Sequence, residues 1–431
     1  KQNLLLGLEA PRFQEDFRYQ VESLSKEQNE ILQLALSAQD YFLLQGPPGT
    51  GKTSKMLKNM VQYLFEQTDE YIVLLAFTNR ATDEICQKVA QITPNFIRLG
   101  YVGDGHEFVA QSLSRESHIP SIRERLAHTR IFVSTVTSFY RYRHLVKRCD
   151  TLIVDEASQL LEPHLCGILP AFRRFILIGD EKQLPAIVAQ PKELCQHEAL
   201  QALHIQDLSV SLFERLLHNA QQKGWHKAYK MLETQYRTHQ DIASFISEKF
   251  YKTLCPGSPR QQAAFDLYQG DSPIEQLLAQ GRLLFIPSSP SKQHKFHLEE
   301  AQRVRLLAEA IRAAFKRKGD FRAGHLGVIT PYRAQIAEIY KLFDEELRTL
   351  VTVDTVERFQ GSERDIIILS MALSQAAQMP HIQALDTQGQ VDRKLNVALS
   401  RAREQLIVLG DARILQEGKF YKEFLEWEKV L

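Results

Sequence analysis

Eight consecutive residues, Gly46-Pro47-Pro48-Gly49-Thr50-Gly51-Lys52-Thr53, carry the densest chemistry in the chain. They match the spacing GxxxxGK[ST], in which glycines let successive backbone N–H groups turn inward on a phosphate chain. Lys52 can reach the outer phosphates, and the Thr53 hydroxyl can ligate Mg²⁺. Ser54, on the same turn, is a further phosphate-side candidate. The second constellation is Thr151-Leu152-Ile153-Val154-Asp155-Glu156, an apolar run ending in two carboxylates. Asp155 is suited to hold a Mg²⁺ shell and Glu156 to take a proton from an attacking water. By itself such a pair is also what an exposed strand end looks like. The guanine-reading pattern Asn/Thr-Lys-x-Asp is absent, and the adjacent carboxylates favour a water-activating ATPase over a kinase.

These groups need a strand before the glycine loop and a helix after it. Tyr41–Leu44 supplies the strand, and Met56, Leu57, Met60, Val61 and Leu64 mark one face of the helix. Similar short apolar runs recur at Ile72–Phe77, Ile131–Ser134, Leu152–Val154, Phe175–Ile178, Leu283–Ile286, Gly327–Thr330, Asp365–Ser370 and Leu406–Gly410. Continuous rather than alternating runs are what strands covered on both faces look like, so the class is α/β with parallel sheets. A helix is expected between Ser211 and Gly224. The domain boundary is placed just after it, giving residues 1–225 and 226–431. Cys255–Lys295 and Gln375–Arg393 read as loops with only short structure.

At 431 residues, with 44% hydrophobic and 24% charged, the chain has the composition of a globular protein of several domains. No apolar run approaches the length of a membrane span, so no membrane partner is expected. Lys plus Arg (53) nearly balances Asp plus Glu (52), so a net charge of +1 gives no global sign of a nucleic-acid binder. Five scattered cysteines without CxxC spacing argue against a zinc site or disulfide framework. An intracellular setting is expected, cytoplasmic or, in a eukaryote, nuclear. Lacking an initiator Met, the chain reads as a piece of something longer.

The order of motifs resembles superfamily 1 helicases, in the Upf-like branch that holds nonsense-decay helicases and replication helicase-nucleases (Dna2-like). The resemblance runs from about Leu24 to Asp411. It rests on Leu24-Ser25-Lys26-Glu27-Gln28, the glycine loop, Phe77-Thr78-Asn79-Arg80-Ala81, Asp155-Glu156-Ala157-Ser158-Gln159 and Gly179-Asp180-Glu181-Lys182-Gln183-Leu184-Pro185. Further on come Gln235-Tyr236-Arg237-Thr238-His239, Thr330-Pro331-Tyr332, Phe359-Gln360-Gly361-Ser362-Glu363 and Asn396 through Arg403.

The resemblance implies two tandem RecA-like P-loop domains with Mg·ATP bound between their sheets. It implies that Gln28 reads the adenine edge, Tyr236 stacks on the base, Gly361 and Glu363 meet the ribose or phosphate region, and Gln183 senses the γ-phosphate. Arg237 and Arg401 become arginine fingers, planar cations matched to the spread charge of the transition state. It also implies a single-stranded nucleic-acid partner, DNA favoured and RNA possible, touched by Thr78, Asn79, Ser134, Thr135, Thr330, Pro331, Tyr332 and Thr355. Ser and Thr at these positions serve equally well as helix caps.

The aromatic and basic stretch Phe139–Arg148 is a second place for a strand or a solvated helix face, whereas Lys316-Arg317-Lys318-Gly319 reads as a helix C-terminus. Only about two dozen residues precede the Leu24–Gln28 motif, where the branch usually carries a stalk and an accessory β-barrel; either these, and with them a nuclease domain, lie upstream in a longer protein, or this protein does without them. The function expected is a helicase or translocase motor moving 5′ to 3′. The alternatives are an ATP-switched clamp on nucleic acid or protein without processive unwinding, and an RNA helicase.

Overall fold

The computed structural model describes residues 1–113, 116, 118–201, 203, 205–386 and 388–431. The chain divides into two compact units, Lys1–Glu181 with Pro185–Leu232, and Lys182–Leu184 with Glu233–Leu431.

Unit 1 is built on a seven-stranded parallel sheet: β1 (Tyr41–Gln45), β2 (Ile72–Ala76), β3 (Ile97–Arg98), β4 (Ile131–Thr135), β5 (Thr151–Val154), β6 (Arg174–Gly179) and β7 (Tyr229–Met231). Their spatial order is β3-β4-β2-β5-β6-β1-β7. Successive residues of one strand enter opposite cores. Tyr41 and Leu43 pack on one face, and Phe42 and Leu44 on the other. The same split sends Val73 and Leu75 one way and Ile72, Leu74 and Ala76 the other. This two-sided burial is why the runs lack alternation.

The helix expected between Ser211 and Gly224 spans Leu212–Gln222, with the Ser211 hydroxyl accepting from the Glu214 N–H. Beyond it the chain returns to the same sheet. Strand β7 pairs in parallel with β1, Leu43 opposite Tyr229, so unit 1 runs to Leu232 rather than stopping near Trp225. Both β7 and the two-residue β3 are too short to show a period. They are held by their neighbours.

Unit 2 carries β8 (Thr234–Gln235) paired with β9 (Cys255–Pro256), and a five-stranded parallel sheet: β10 (Leu283–Pro287), β11 (Leu326–Ile329), β12 (Thr352–Asp354), β13 (Arg364–Ser370) and β14 (Ala402–Gly410). Its order is β10-β14-β13-β11-β12. Helix Leu298–Arg317 buries Ala301, Val304, Leu307, Ala308, Ile311 and Ala314 in its core. The two stretches read as loops carry short helices, Pro273–Leu278 and Met379–Ile382. Lys316 and Lys318 close the long helix as expected and pair with Glu346 and Asp266.

Among the described residues, no helix is long and apolar enough to cross a membrane, and no group of three or more His, Cys, Asp or Glu is placed to hold a metal.

Candidate active site

The glycine loop leaves the C-terminal end of β1 and turns straight into a helix. Gly49 (φ +77°) and Gly51 (φ +83°) occupy the left-handed region that side chains disfavour. At Gly46 a Cβ would lie 2.7 Å from the Lys52 Cβ, so only glycine lets that side chain fold back over the loop. The Thr50 hydroxyl donates to the Pro47 carbonyl at 2.8 Å and pins the loop. The helix opens on a wide turn, the Lys55 and Met56 N–H groups both reaching back to the Gly51 carbonyl. The N–H groups of the residues just before them are left facing the loop.

Parallel register brings the partners to the same edge. Gln45 lies opposite Gly179 and Val154 opposite Leu177, so the segments after β1, β5 and β6 emerge together. There Thr53 Oγ1 donates to Asp155 Oδ2 at 2.7 Å, and Lys52 Nζ is 2.8 Å from Glu156 Oε1. Asp155 is buried, and its Oδ1 accepts from the Glu156 N–H at 2.9 Å. Glu156 has φ +52° and ψ +38°, a left-handed conformation that costs a residue with a side chain about 1–2 kcal/mol. Strain at this position accompanies the carboxylate's placement against Lys52.

Charge follows from this packing. Burial, then the neighbouring Glu156 charge, push the Asp155 carboxyl up to about 6 against the pull of Lys52. Burial alone would lower the Lys52 ammonium, but Glu156, Asp155 and Asp180 outweigh it and hold its pKa above the ordinary value. A hydroxyl and a buried carboxylate oxygen within hydrogen-bond reach are the hard donors Mg²⁺ takes, so Thr53 and Asp155 fit the ion.

Gln28 sits in a capping box on helix Lys26–Ser37. Its backbone N–H donates to Ser25 Oγ, and its Oε1 accepts from the Ser25 N–H, both at 3.2 Å. The residue is buried, and its Nε2 has no hydrogen-bond partner. A buried donor left over in this way suits a ligand's acceptor edge.

Unit 2 places its candidates separately. Gln183 is buried in the short Lys182–Leu184 stretch that belongs to this unit. Gln235 Oε1 accepts from the backbone N–H of both Arg237 (2.9 Å) and Thr238 (2.8 Å), while its Nε2 donates to the Thr238 carbonyl (2.7 Å). This curls the chain so that Tyr236 and Arg237 project from the bend. Tyr236 is part-exposed over Gly257, where a Cβ would lie 2.4 Å from its ring.

Arg237 forms an ion pair with Glu363, which also takes Arg403 Nη2 at 2.7 Å. Burial would raise the Glu363 carboxyl, but these two arginines hold it below its usual value. Arg401 is buried, donating from Nε to Val397 O (3.0 Å), from Nη1 to Ser362 O (3.3 Å) and from Nη2 to Ser400 Oγ (2.9 Å). Gly361, at φ +77°, makes the turn that leads into Glu363. Sequence reading missed Gln235 and Arg403 as organisers, although both lie inside the motifs it singled out.

The strand-contact candidates divide by role. Thr78 and Thr135 cap helices, accepting from the N–H of Ala81 and Ser138. Asn79 Oδ1 accepts from Arg98, itself paired with Asp83 at 2.8 Å. Ser134 is buried with its hydroxyl directed at Leu99 O. In unit 2, Thr330, Pro331 and Tyr332 follow β11, and Thr355 follows β12. Tyr332 accepts from Gln378 Nε2, while the buried Thr330 Oγ1 has no hydrogen-bond partner. Within Phe139–Arg148, Arg143 bonds Gly167 O and Arg148 pairs with Asp150.

Two models described as AAA domains match, over residues 28–189 and 208–413. The DNA replication ATP-dependent helicase/nuclease DNA2 of Bos taurus is 30% identical over 90% of this chain, which spans 37% of that protein's length. The DNA polymerase alpha-associated DNA helicase A of Saccharomyces cerevisiae is 25% identical over 94% of this chain and 68% of its own. A crystal structure of the arterivirus nonstructural protein 10 helicase aligns over 91% of this chain and 64% of that one, at 15% identity and a TM-score of 0.45. Motif order, a glycine loop facing paired carboxylates, the two AAA-domain models and the DNA2 relative together assign the chain to the superfamily 1 helicase cores, in the Dna2-like branch.

Proposed function

We propose that the chain is an ATP-driven motor core that hydrolyses Mg·ATP to move on single-stranded nucleic acid and part duplexes, DNA rather than RNA and 5′ to 3′. The observation that carries this reading is the convergence of Lys52, Thr53, Asp155 and Glu156 at one sheet edge. Mg²⁺ held by Thr53 and Asp155 would neutralise charge on the phosphoryl oxygens. Lys52, now paired with Glu156, exchanges that carboxylate for a phosphate oxygen. Glu156 is thereby released to accept the proton of the attacking water. The pair thus keeps the base occupied until substrate draws the lysine away.

Gln28 Nε2 donates to the adenine edge, Tyr236 stacks on the base, and Gly361 with Glu363 forms the ribose and phosphate side. Gln183 reads the γ-phosphate. Arg237 and Arg401 stabilise the transition state, exchanging their present partners for phosphoryl oxygens. Thr78, Asn79, Thr135, Pro331, Tyr332 and Thr355 line the strand's path, whereas Ser134 and Thr330, both fully buried, stand behind that surface. A nuclease or accessory domain elsewhere in a longer protein is part of the same reading, since the bovine relative is a helicase/nuclease.

The test measures ATP turnover with no strand, with single-stranded DNA and with single-stranded RNA, for wild type, Lys52→Ala and Glu156→Gln. Wild type should turn over fastest with DNA. Both variants should lose at least about a hundredfold in kcat, with nucleotide binding kept only by Glu156→Gln. Turnover persisting in both variants would remove these residues from the reaction. Stimulation without strand displacement would leave an ATP-switched clamp.

A further inference from the structure

The stretch Lys182–Leu184 follows Glu181 and precedes Pro185, both of unit 1, yet it packs as part of unit 2. Gln183, read above as the γ-phosphate sensor, is its buried centre. Two elements of unit 2 hold it there. Helix Arg393–Leu399 presents Asn396, whose Nδ2 donates to the Lys182 carbonyl at 2.6 Å and to the Tyr251 hydroxyl at 2.9 Å. The wide helical turn Ser247–Tyr251 takes the Lys182 side chain, its Nζ donating to the Phe250 carbonyl at 2.8 Å and lying 5.3 Å from the centre of the Tyr251 ring. Lys182 is thus gripped at backbone and side chain together, which fixes the peptide that leads into Gln183.

Asn396 is fully buried, and its Oδ1 has no hydrogen-bond partner. An amide oxygen left unsatisfied in the interior opposes folding, so an apolar residue would serve mere packing better. Its two donated bonds are what the site uses. The same helix runs on towards Arg401, with the Ser400 N–H on the Asn396 carbonyl at 3.1 Å and Arg401 Nε on the Val397 carbonyl at 3.0 Å. One element therefore grips the stretch that carries Gln183 and, just beyond, bears the candidate arginine finger.

We propose that Asn396 is a positioning residue which, with Lys182, locks Gln183 to the helix bearing Arg401, so that sensor and finger reach the γ-phosphate as one body. The inference rests on the reading of Gln183 as the γ-phosphate sensor. Groups already aligned need no ordering at the moment of reaction, whereas a Gln183 loose on its own loop would have to be ordered in every cycle. A nucleotide without the terminal phosphate should be indifferent to the clamp.

The experiment measures strand-stimulated kcat, KM for ATP and ADP affinity in the full chain for Gln183→Ala, Asn396→Leu, Lys182→Met and Lys182→Arg. Gln183→Ala is also combined with Asn396→Leu and with Lys182→Met. Gln183→Ala and Asn396→Leu should each lose roughly tenfold or more in kcat, and Lys182→Met somewhat less, with ADP affinity within about twofold of wild type throughout. Lys182→Arg, which keeps a cation over the ring, should recover most of what Lys182→Met loses. In the Gln183→Ala background each further substitution should add less than about twofold, because the side chain it positions is gone. Losses that multiply in the double variants, or ADP affinity that falls with kcat, would mean that Asn396 and Lys182 support the fold and not Gln183. Wild-type kcat in both Asn396→Leu and Lys182→Met overturns the clamp as well. Should Asn396→Leu fail to fold, the two Lys182 variants decide by the same criteria. Unaltered kcat in Gln183→Ala overturns the sensor reading and the clamp with it, an outcome distinct from the clamp failing alone.

Discussion

Side-chain chemistry in the first unit is governed by charge taken out of water. Asp155 is buried beside a second carboxylate, and its pKa is raised well above that of the unfolded chain. A raised carboxyl binds its proton more tightly when folded. Its contribution to stability is therefore full below the unfolded value near 4 and is lost as pH climbs through about 6. Near neutral pH the charge strains the fold. Asp155→Asn should accordingly stabilise the nucleotide-free, Mg²⁺-free protein at pH 7 by roughly 1–3 kcal/mol, and by much less at pH 4.5. Thermal melts of both proteins at the two pH values test this, and an equal gap at each would remove the electrostatic explanation. The same burial suits a divalent cation, which would add to the countercharge that Lys52 already supplies.

Among the elements, the bend between β8 and helix Gln240–Ile246 shows how one side chain can set the shape of a functional loop. Gln235 is buried and satisfies two backbone donors and one carbonyl within three residues. Gln235→Ala would strand those N–H groups, at about 1–3 kcal/mol for a buried unsatisfied group, and would release Tyr236 and Arg237 from their bend. The expected result is a lower melting temperature together with a fall in strand-stimulated kcat larger than the melting shift explains. Wild-type turnover in a variant that melts early would mean that the bend does not position Arg237. The glycine loop is more local still, since Gly49 and Gly51 permit its left-handed turns, Gly46 leaves room for Lys52, and Thr50 pins it to Pro47.

Over the whole molecule the net charge of +1 leaves no long-range attraction for a polyanion, so strand affinity must come from local contacts. Titrating salt should nonetheless weaken binding along a straight log–log line, each neutralised phosphate contributing about −0.7 to the slope. A slope near zero would leave stacking alone to hold the strand. The division into two units shows where sequence patterning is strong and where it fades. All nine apolar runs became strands, because a strand buried on both faces writes its own signature. Strands β3, β7, β8, β9 and β12 were not legible. With two or three residues each, they are strands only because a neighbour offers hydrogen bonds, as β1 does for β7.

By itself the sequence determined the phosphate loop, the paired carboxylates, the order of motifs and the α/β class. Each of these depends on consecutive residues or on a period along the chain. Tertiary structure alone decided that Thr53 meets Asp155 across 102 residues, that Lys52 is held by Glu156, and that Glu363 is shared by Arg237 and Arg403. Such contacts are set by strand order and register. Pairing energy is nearly the same for many orders of similar apolar strands, so the choice among them belongs to the packing of the whole sheet and its two cores.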